Sequence, residues 1–179
     1  MTSVNKVILG AILLALATAA CHRGTLPTPQ SQTAPTPTQT PREILPKQFG
    51  PINDYAKVFD QSAQTRLLFT INELRTNSDV QFVVATVDST NGQSIFDYSL
   101  ALAREWRPGG ESGRGLLLVL AIRDRQWHLQ VSKALEKDLP DQVCKELGTR
   151  SEQLYKQGKY ADGVDLYVRA IGDKLKAKK

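Results

Sequence analysis

The chain has 179 residues, a formal net charge of +5, 41% hydrophobic residues and two cysteines. That is room for one domain with an ordinary core, and too few cysteines for a disulfide framework. No basic stripe interleaves with aromatic residues, which excludes a nucleic-acid-binding class. No CxxC or His/Cys cluster exists, which excludes a structural zinc site.

The chain opens with Lys6, the apolar run Val7–Ala17 and then Ala19-Ala20-Cys21. A charged start, a short apolar run and small residues form an export signal over residues 1–21. The run is too short to span a bilayer, which takes about 20 residues. Cys21 closes the small-residue stretch as the lipidated first residue of a bacterial lipoprotein does, although Thr18 stands where such signals usually carry Leu. The alternative is ordinary cleavage after Ala19 or Ala20, leaving Cys21 a plain thiol.

Residues 22–46, His22 to Pro46, are rich in Pro, Thr, Gln and Ser and nearly empty of large apolar side chains. Such a segment cannot offset its ordering entropy and is expected to be a disordered, semi-stiff linker. Extended, it reaches about 75 Å. A domain over residues 47–179 follows.

Asp60 is placed to cap a helix Gln61–Arg75, with Leu67, Ile71 and Leu74 on one face. Val80–Val87 is apolar on both faces, as a covered central strand should be. Ser94–Trp106 predicts a second helix with Ile95, Tyr98, Leu102 and Trp106 on its stripe. Pro108-Gly109-Gly110 ends it and opens a loop to Gly115. Leu116–Ile122 is a second buried strand, and the alternating Trp127–Val131 its antiparallel neighbour. Helices Pro140–Gln157 and Ala161–Lys176 close the chain, split at Gly158. The order α-β-α-β-β-α-α predicts an α/β fold, a small mixed sheet with helices on both faces.

Three features favour structure over chemistry. Cys144, inside a predicted helix, is expected to be a buried thiol. His128, alone on a strand, is more often structural than a base. The Tyr/Gly/Tyr spacing of Leu154–Ile171 resembles one tetratricopeptide helix pair, but a single repeat cannot bury its own face and no second copy exists. The terminal Lys174, Lys176, Lys178 and Lys179 suit the end of a helix dipole, with anionic lipid headgroups as the alternative partner. No nucleophile elbow, Ser/His/Asp order or phosphate-cradling loop is present.

The segment Pro51-Ile52-Asn53-Asp54-Tyr55-Ala56, the Gly-rich loop into Gly115-Leu116-Leu117-Leu118-Val119, then Asp124-Arg125, Leu135-Glu136, Leu139-Pro140-Asp141 and Gly158-Lys159-Tyr160 succeed one another as they do in TPM domains. From Pro51 to Leu175 the chain resembles that family, the TLP18.3/Psb32/MOLO-1 type. The resemblance implies an exported, membrane-tethered domain. It also implies either a weak acid phosphatase that binds Ca2+ or Mg2+ through acidic residues, or an accessory factor for membrane complexes. Carried over, the metal-binding acids are Asp54, Glu136 and Asp141.

Two departures bear on that. Gly113-Arg114-Gly115 stands where the family usually has Asp-Asn-Gly, and Ser132-Lys133-Ala134 replaces a Gly-Tyr-Gly. A carboxylate gives way to a guanidinium, which repels a cation and attracts an anion. Arg114 and Lys133 thus become candidates for binding an anion or a partner. The leading expectation is a membrane-tethered accessory or binding module with a degraded metal site, anchored in the cell envelope on the periplasmic side by lipid on Cys21 and docking a protein partner. A divalent-metal phosphatase is the rival.

Overall fold

The structure is a computed structural model that describes residues 45–177. The export signal, Cys21 and nearly all of the 22–46 linker lie outside the described residues. Leu45 and Pro46, the linker's last two residues, pack against the domain: Leu45 joins a core cluster, and Trp106 Nε1 donates to the Pro46 carbonyl at 2.9 Å.

The domain is a four-stranded open sheet in the order β1-β2-β3-β4, with β1 Ile52–Asp54, β2 Gln81–Val87, β3 Gly115–Ala121 and β4 Gln126–Val131. The helices are α1 Gln61–Ser78, α2 Ile95–Trp106, α3 Asp141–Lys156 and α4 Tyr160–Lys176. Strands β1, β2 and β3 are parallel, while β4 runs antiparallel to β3 with Leu118 opposite Leu129. The predicted mixed sheet with helices on both faces is what forms. Only β1 is new, and it is three residues long with Asn53 buried at its centre. The Asn53 side chain accepts from Phe49 N–H at 2.7 Å and donates to the Gly50 carbonyl at 2.8 Å.

The elements form where periodicity places them. Asp60 caps α1 by accepting from Ala63 N–H at 2.7 Å, and Leu67, Ile71 and Leu74 are buried along it. In β2 and β3 every residue but Gln81 is buried, because α1, α3 and α4 cover one face and α2 the other. Each fully buried Leu or Val contributes roughly 1.5–3 kcal/mol relative to exposure, so these two strands dominate the core. The chain steps the same way across the sheet from β1 to β2 to β3, yet α1 and α2 lie on opposite faces. The two crossovers are therefore of opposite hand, and one departs from the right-handed rule.

Helices α1 and α4 are clasped by a polar network. Asp165 accepts from Thr70 Oγ1 at 2.5 Å and from Arg169 Nε at 2.8 Å, and Arg169 Nη2 donates to Thr70 Oγ1 at 3.0 Å. Partial burial alone would push the Asp165 carboxyl up. The bonds from Arg169 and Thr70 and the charges of Arg169 and Arg66 outweigh it and hold the group below its ordinary value. A folded pKa below the unfolded one gives stability that is present above the unfolded value, near 3.9, and lost as pH falls through the folded value. Lowering pH from about 5 toward 2 is thus expected to erode stability, and Asp165→Asn to make that erosion shallower by about 1 kcal/mol. Urea denaturation at a series of pH values reads this out. Parallel curves for the two proteins would refute it.

Three helix-facing details explain the C-terminal aromatic spacing. Gly163 has no room for a side chain, since a Cβ there would stand 2.4 Å from the Tyr155 ring. A Cβ on Gly148 would stand 2.4 Å from the Trp127 ring. Trp127 then meets Tyr155 and Tyr167 edge to face at 5.9 and 5.7 Å between ring centres. Gly163, part of the repeat-like spacing, is a socket for an aromatic ring, and so is Gly148 outside it. Cys144 is buried as expected; its thiol donates to the Leu139 carbonyl at 3.5 Å, and burial pushes it up to about 11.

Candidate functional site

Asp54 and Glu136 fall at two opposite ends of the sheet. Asp54 ends β1 at the carboxyl end of the parallel strands. Its carboxylate accepts from Val58 N–H at 3.1 Å, Phe59 N–H at 2.9 Å and the Thr86 hydroxyl. A carboxylate has about four acceptor positions, and three of Asp54's are spent holding the β1–α1 turn onto β2. Nearby, Asp124 in the β3–β4 turn accepts from Thr90 N–H at 2.7 Å and from the Ser89 hydroxyl at 2.9 Å. The Thr90 amide bond, followed by the Ser89 hydroxyl bond, holds the Asp124 carboxyl below its ordinary value. Asp124 clasps the β2–α2 loop to the β3–β4 turn.

Glu136 lies in the turn after β4, at the amino end of the parallel strands, and Asp141 opens α3. β1 and β4 are the two edges of the sheet. Asp54 and Glu136 are therefore three strand spacings apart, about 14 Å, and at opposite ends besides. Glu136 is exposed. Asp141 acts electrostatically on His128 and Cys144: it raises the Cys144 thiol further, and it opposes the burial that lowers His128. Among the described residues no group of three His, Cys, Asp or Glu side chains is placed to hold a metal ion. The three acids named by resemblance do not fit a shared divalent cation, which needs several oxygen ligands at 2.0–2.6 Å, as a rule of thumb about.

The structure does bring the two basic candidates together. The Gly109–Gly115 loop leaves α2 through Arg107 in the left-handed region (φ 48°), forms a 3-10 turn at Gly110–Ser112, and reaches β3. The Gln81 side chain accepts from Gly109 N–H at 2.6 Å. Gly115 N–H donates to Ser132 Oγ at 3.0 Å, and Ser132 N–H donates back to the Gly115 carbonyl at 2.9 Å. That reciprocal pair sets Arg114 and Lys133 on neighbouring strands of loop. Arg114 forms an ion pair with Asp138 at 3.6 Å, both half-buried, which straps the loop to the turn after β4. Lys133 is exposed. A depression of about 450 Å³ beside the loop is lined by Arg75, Asp79, Gln81 and Glu111 among others, so its charge is mixed. Arg114 is a strap with part of its charge already offset, and Lys133 the exposed cation of the pair.

Sequence reasoning missed the aromatic cluster of Trp127, Tyr155 and Tyr160 at the other end. The available signal was Gly148 and Gly163: a helix-interior glycine costs about 1 kcal/mol against alanine, so two of them on facing helices mark close contacts.

An open mixed sheet with three parallel strands, one antiparallel edge strand and helices on both faces defines a small α/β domain. The TPM domain family matches it over residues 52–174, and the chain belongs to that family. No curated protein matches it in sequence. Among solved structures it is similar to the N-terminal domain of a protein from P. gingivalis, with a TM-score of 0.64 and 26% identity over 71% of this chain and 82% of that one. It is also similar to the N-terminal domain of the cg2496 protein from Corynebacterium glutamicum, with a TM-score of 0.58 and 16% identity over 72% and 82% of the two chains. The BA42 protein from the psychrophilic bacterium Bizionia argentinensis has a TM-score of 0.60 at 15% identity, over 66% and 82%. The last two likenesses concern the fold alone. No described helix is long and apolar enough to cross a membrane.

Proposed function

We propose that this TPM-domain protein is a membrane-tethered accessory module of the cell envelope. An acyl chain on Cys21 holds it, the 22–46 segment sets its reach, and the end carrying Lys133 and the Gly109–Gly115 loop meets a protein partner. The observation that carries the reading is the state of Asp54. Its carboxylate is committed to two backbone amides and a hydroxyl of its own domain, Glu136 lies at the far end of the sheet, and Asp141 stands at the start of α3 beside His128. Metal-assisted phosphate hydrolysis needs carboxylates converging on one cation, and these three do not converge. The loop glycines and the Arg114–Asp138 pair instead build a braced surface, which suits docking.

The test uses the intact protein in 1 mM Ca2+ or Mg2+. A site with a Kd of about 10 μM would add about 2.7 kcal/mol and raise Tm by roughly 10 °C. The expected outcome is no such shift and no metal-dependent hydrolysis of 4-nitrophenyl phosphate. A rise of that size, with hydrolysis lost in Asp141→Asn, would establish the phosphatase instead. Radioactive palmitate should label the wild type and not Cys21→Ala; equal labelling would refute the anchor.

A further inference from the structure

A cavity of about 360 Å³ lies between the β3–β4 turn and the α3–α4 turn. It sits beyond the carboxyl end of β3, where open α/β sheets take their ligands, and its volume falls within the usual range for small-molecule sites of about 300–1,000 Å³. The walls divide by chemistry. Leu120, Ala121 and Ile122 supply an apolar side, while Trp127, Tyr155 and Tyr160 supply aromatic surface. Arg125 and Lys156 stand at its border, both exposed.

Tyr155 is 7% exposed and its hydroxyl is enclosed in the protein, so it offers the cavity its ring and not its hydroxyl. Arg125, held in the left-handed region (φ 53°) by the β3–β4 turn, makes no ion pair among the described residues. Lys156 is paired at 2.7 Å with Glu152, which also lines the cavity and whose charge that pairing offsets. Among the described residues that line the cavity, the uncommitted charge at its mouth is the Arg125 guanidinium, which recognises a carboxylate through two parallel bonds. The volume is that of about twelve waters, enough for a ring and a short acidic arm.

We infer that this cavity binds a small aromatic carboxylic acid, with its ring against Trp127, Tyr155 and Tyr160 and its carboxylate at Arg125. The site is separate from the Lys133 end of the sheet and does not depend on the accessory reading.

The probe is 3-phenylpropionate, compared with neutral 3-phenylpropionamide. Binding to the intact protein is followed by Trp127 emission in a Trp106→Phe background. The acid is expected to saturate with a Kd of about 0.1–1 mM, as its size allows, and the amide to bind at least about 5-fold more weakly. Arg125→Ala should abolish that difference. Tyr160→Ala, which removes half-buried ring surface from the wall, should weaken both ligands about 3- to 10-fold. No saturable change by about 10 mM acid, equal binding of acid and amide, or unchanged affinity in both variants would overturn the proposal.

Discussion

Gly115→Ala is expected to cost about 3–5 kcal/mol and to lower Tm by roughly 10–20 °C. A Cβ at this position would stand 2.0 Å from the Pro108 carbonyl oxygen, 2.2 Å from its carbon and 2.6 Å from Gly109 N. All three are backbone atoms, so no side chain can swing away. The Pro108–Gly109 segment cannot retreat either. Gly109 has φ +111°, and a Cβ on it would meet Gly113, Arg114 and Gly115 backbone at 2.7–2.9 Å. The loop is folded on itself so tightly that its glycines are there for close approach. Gly50→Ala is the matched control, because nothing lies within 4 Å of that site. Urea denaturation followed by far-UV circular dichroism measures both. A Gly115→Ala protein within about 1 kcal/mol of wild type would refute this account of the loop.

Asp54→Ala is expected to destabilise by about 2–3 kcal/mol. It strips the acceptor from Val58 N–H, Phe59 N–H and the Thr86 hydroxyl at once, and β1 is held by only three paired residues. Bonds to a charged group are each worth about 1.5–3 kcal/mol, reduced here because the turn is half-exposed and water takes up part of the loss. Asp54→Asn should lose about half as much: one oxygen is kept, while the amide sets a donor against a donor. The midpoint of urea unfolding separates the two. An unchanged midpoint in Asp54→Ala would show the carboxylate free for other work. The expected loss also disciplines any assay on this family member, since activity lost on changing Asp54 has to be compared with folded fraction before it counts as chemistry.

The fold was legible in this sequence wherever burial writes a period. Val80–Val87 and Leu116–Ile122 read as covered strands because both faces are covered, and Asp60 read as a cap because its side chain answers an amide three residues on. β1 was illegible because three residues with a buried asparagine carry no period; its register comes from long-range pairing with β2 and from Asn53 bonding back to Phe49 and Gly50. The candidate acids were legible only as motif positions. Distance along the chain from Asp54 to Glu136 says nothing of which end of a sheet each occupies, and the antiparallel turn of β4 is what sends Glu136 to the other end. Arg114 was legible as a cation in the Gly-rich loop, but its partner Asp138 lies 24 positions on and shows only once the turn after β4 is in place. The cavity at the β3–β4 turn was hidden for the same reason: its walls come from two stretches of chain some 25 positions apart, 120–127 and 152–160.

The fastening at Pro46 and Lys47 has a mechanical consequence. Any tension on the amino-terminal segment reaches the Trp106 bond to Pro46 and the Tyr55 bond to Lys47 before it reaches β1. Such outlying contacts open at far lower free energy than a buried sheet. They act as a fuse: a pull on Pro46 spends itself releasing a few residues of slack, and the strands behind are loaded only when that slack is gone.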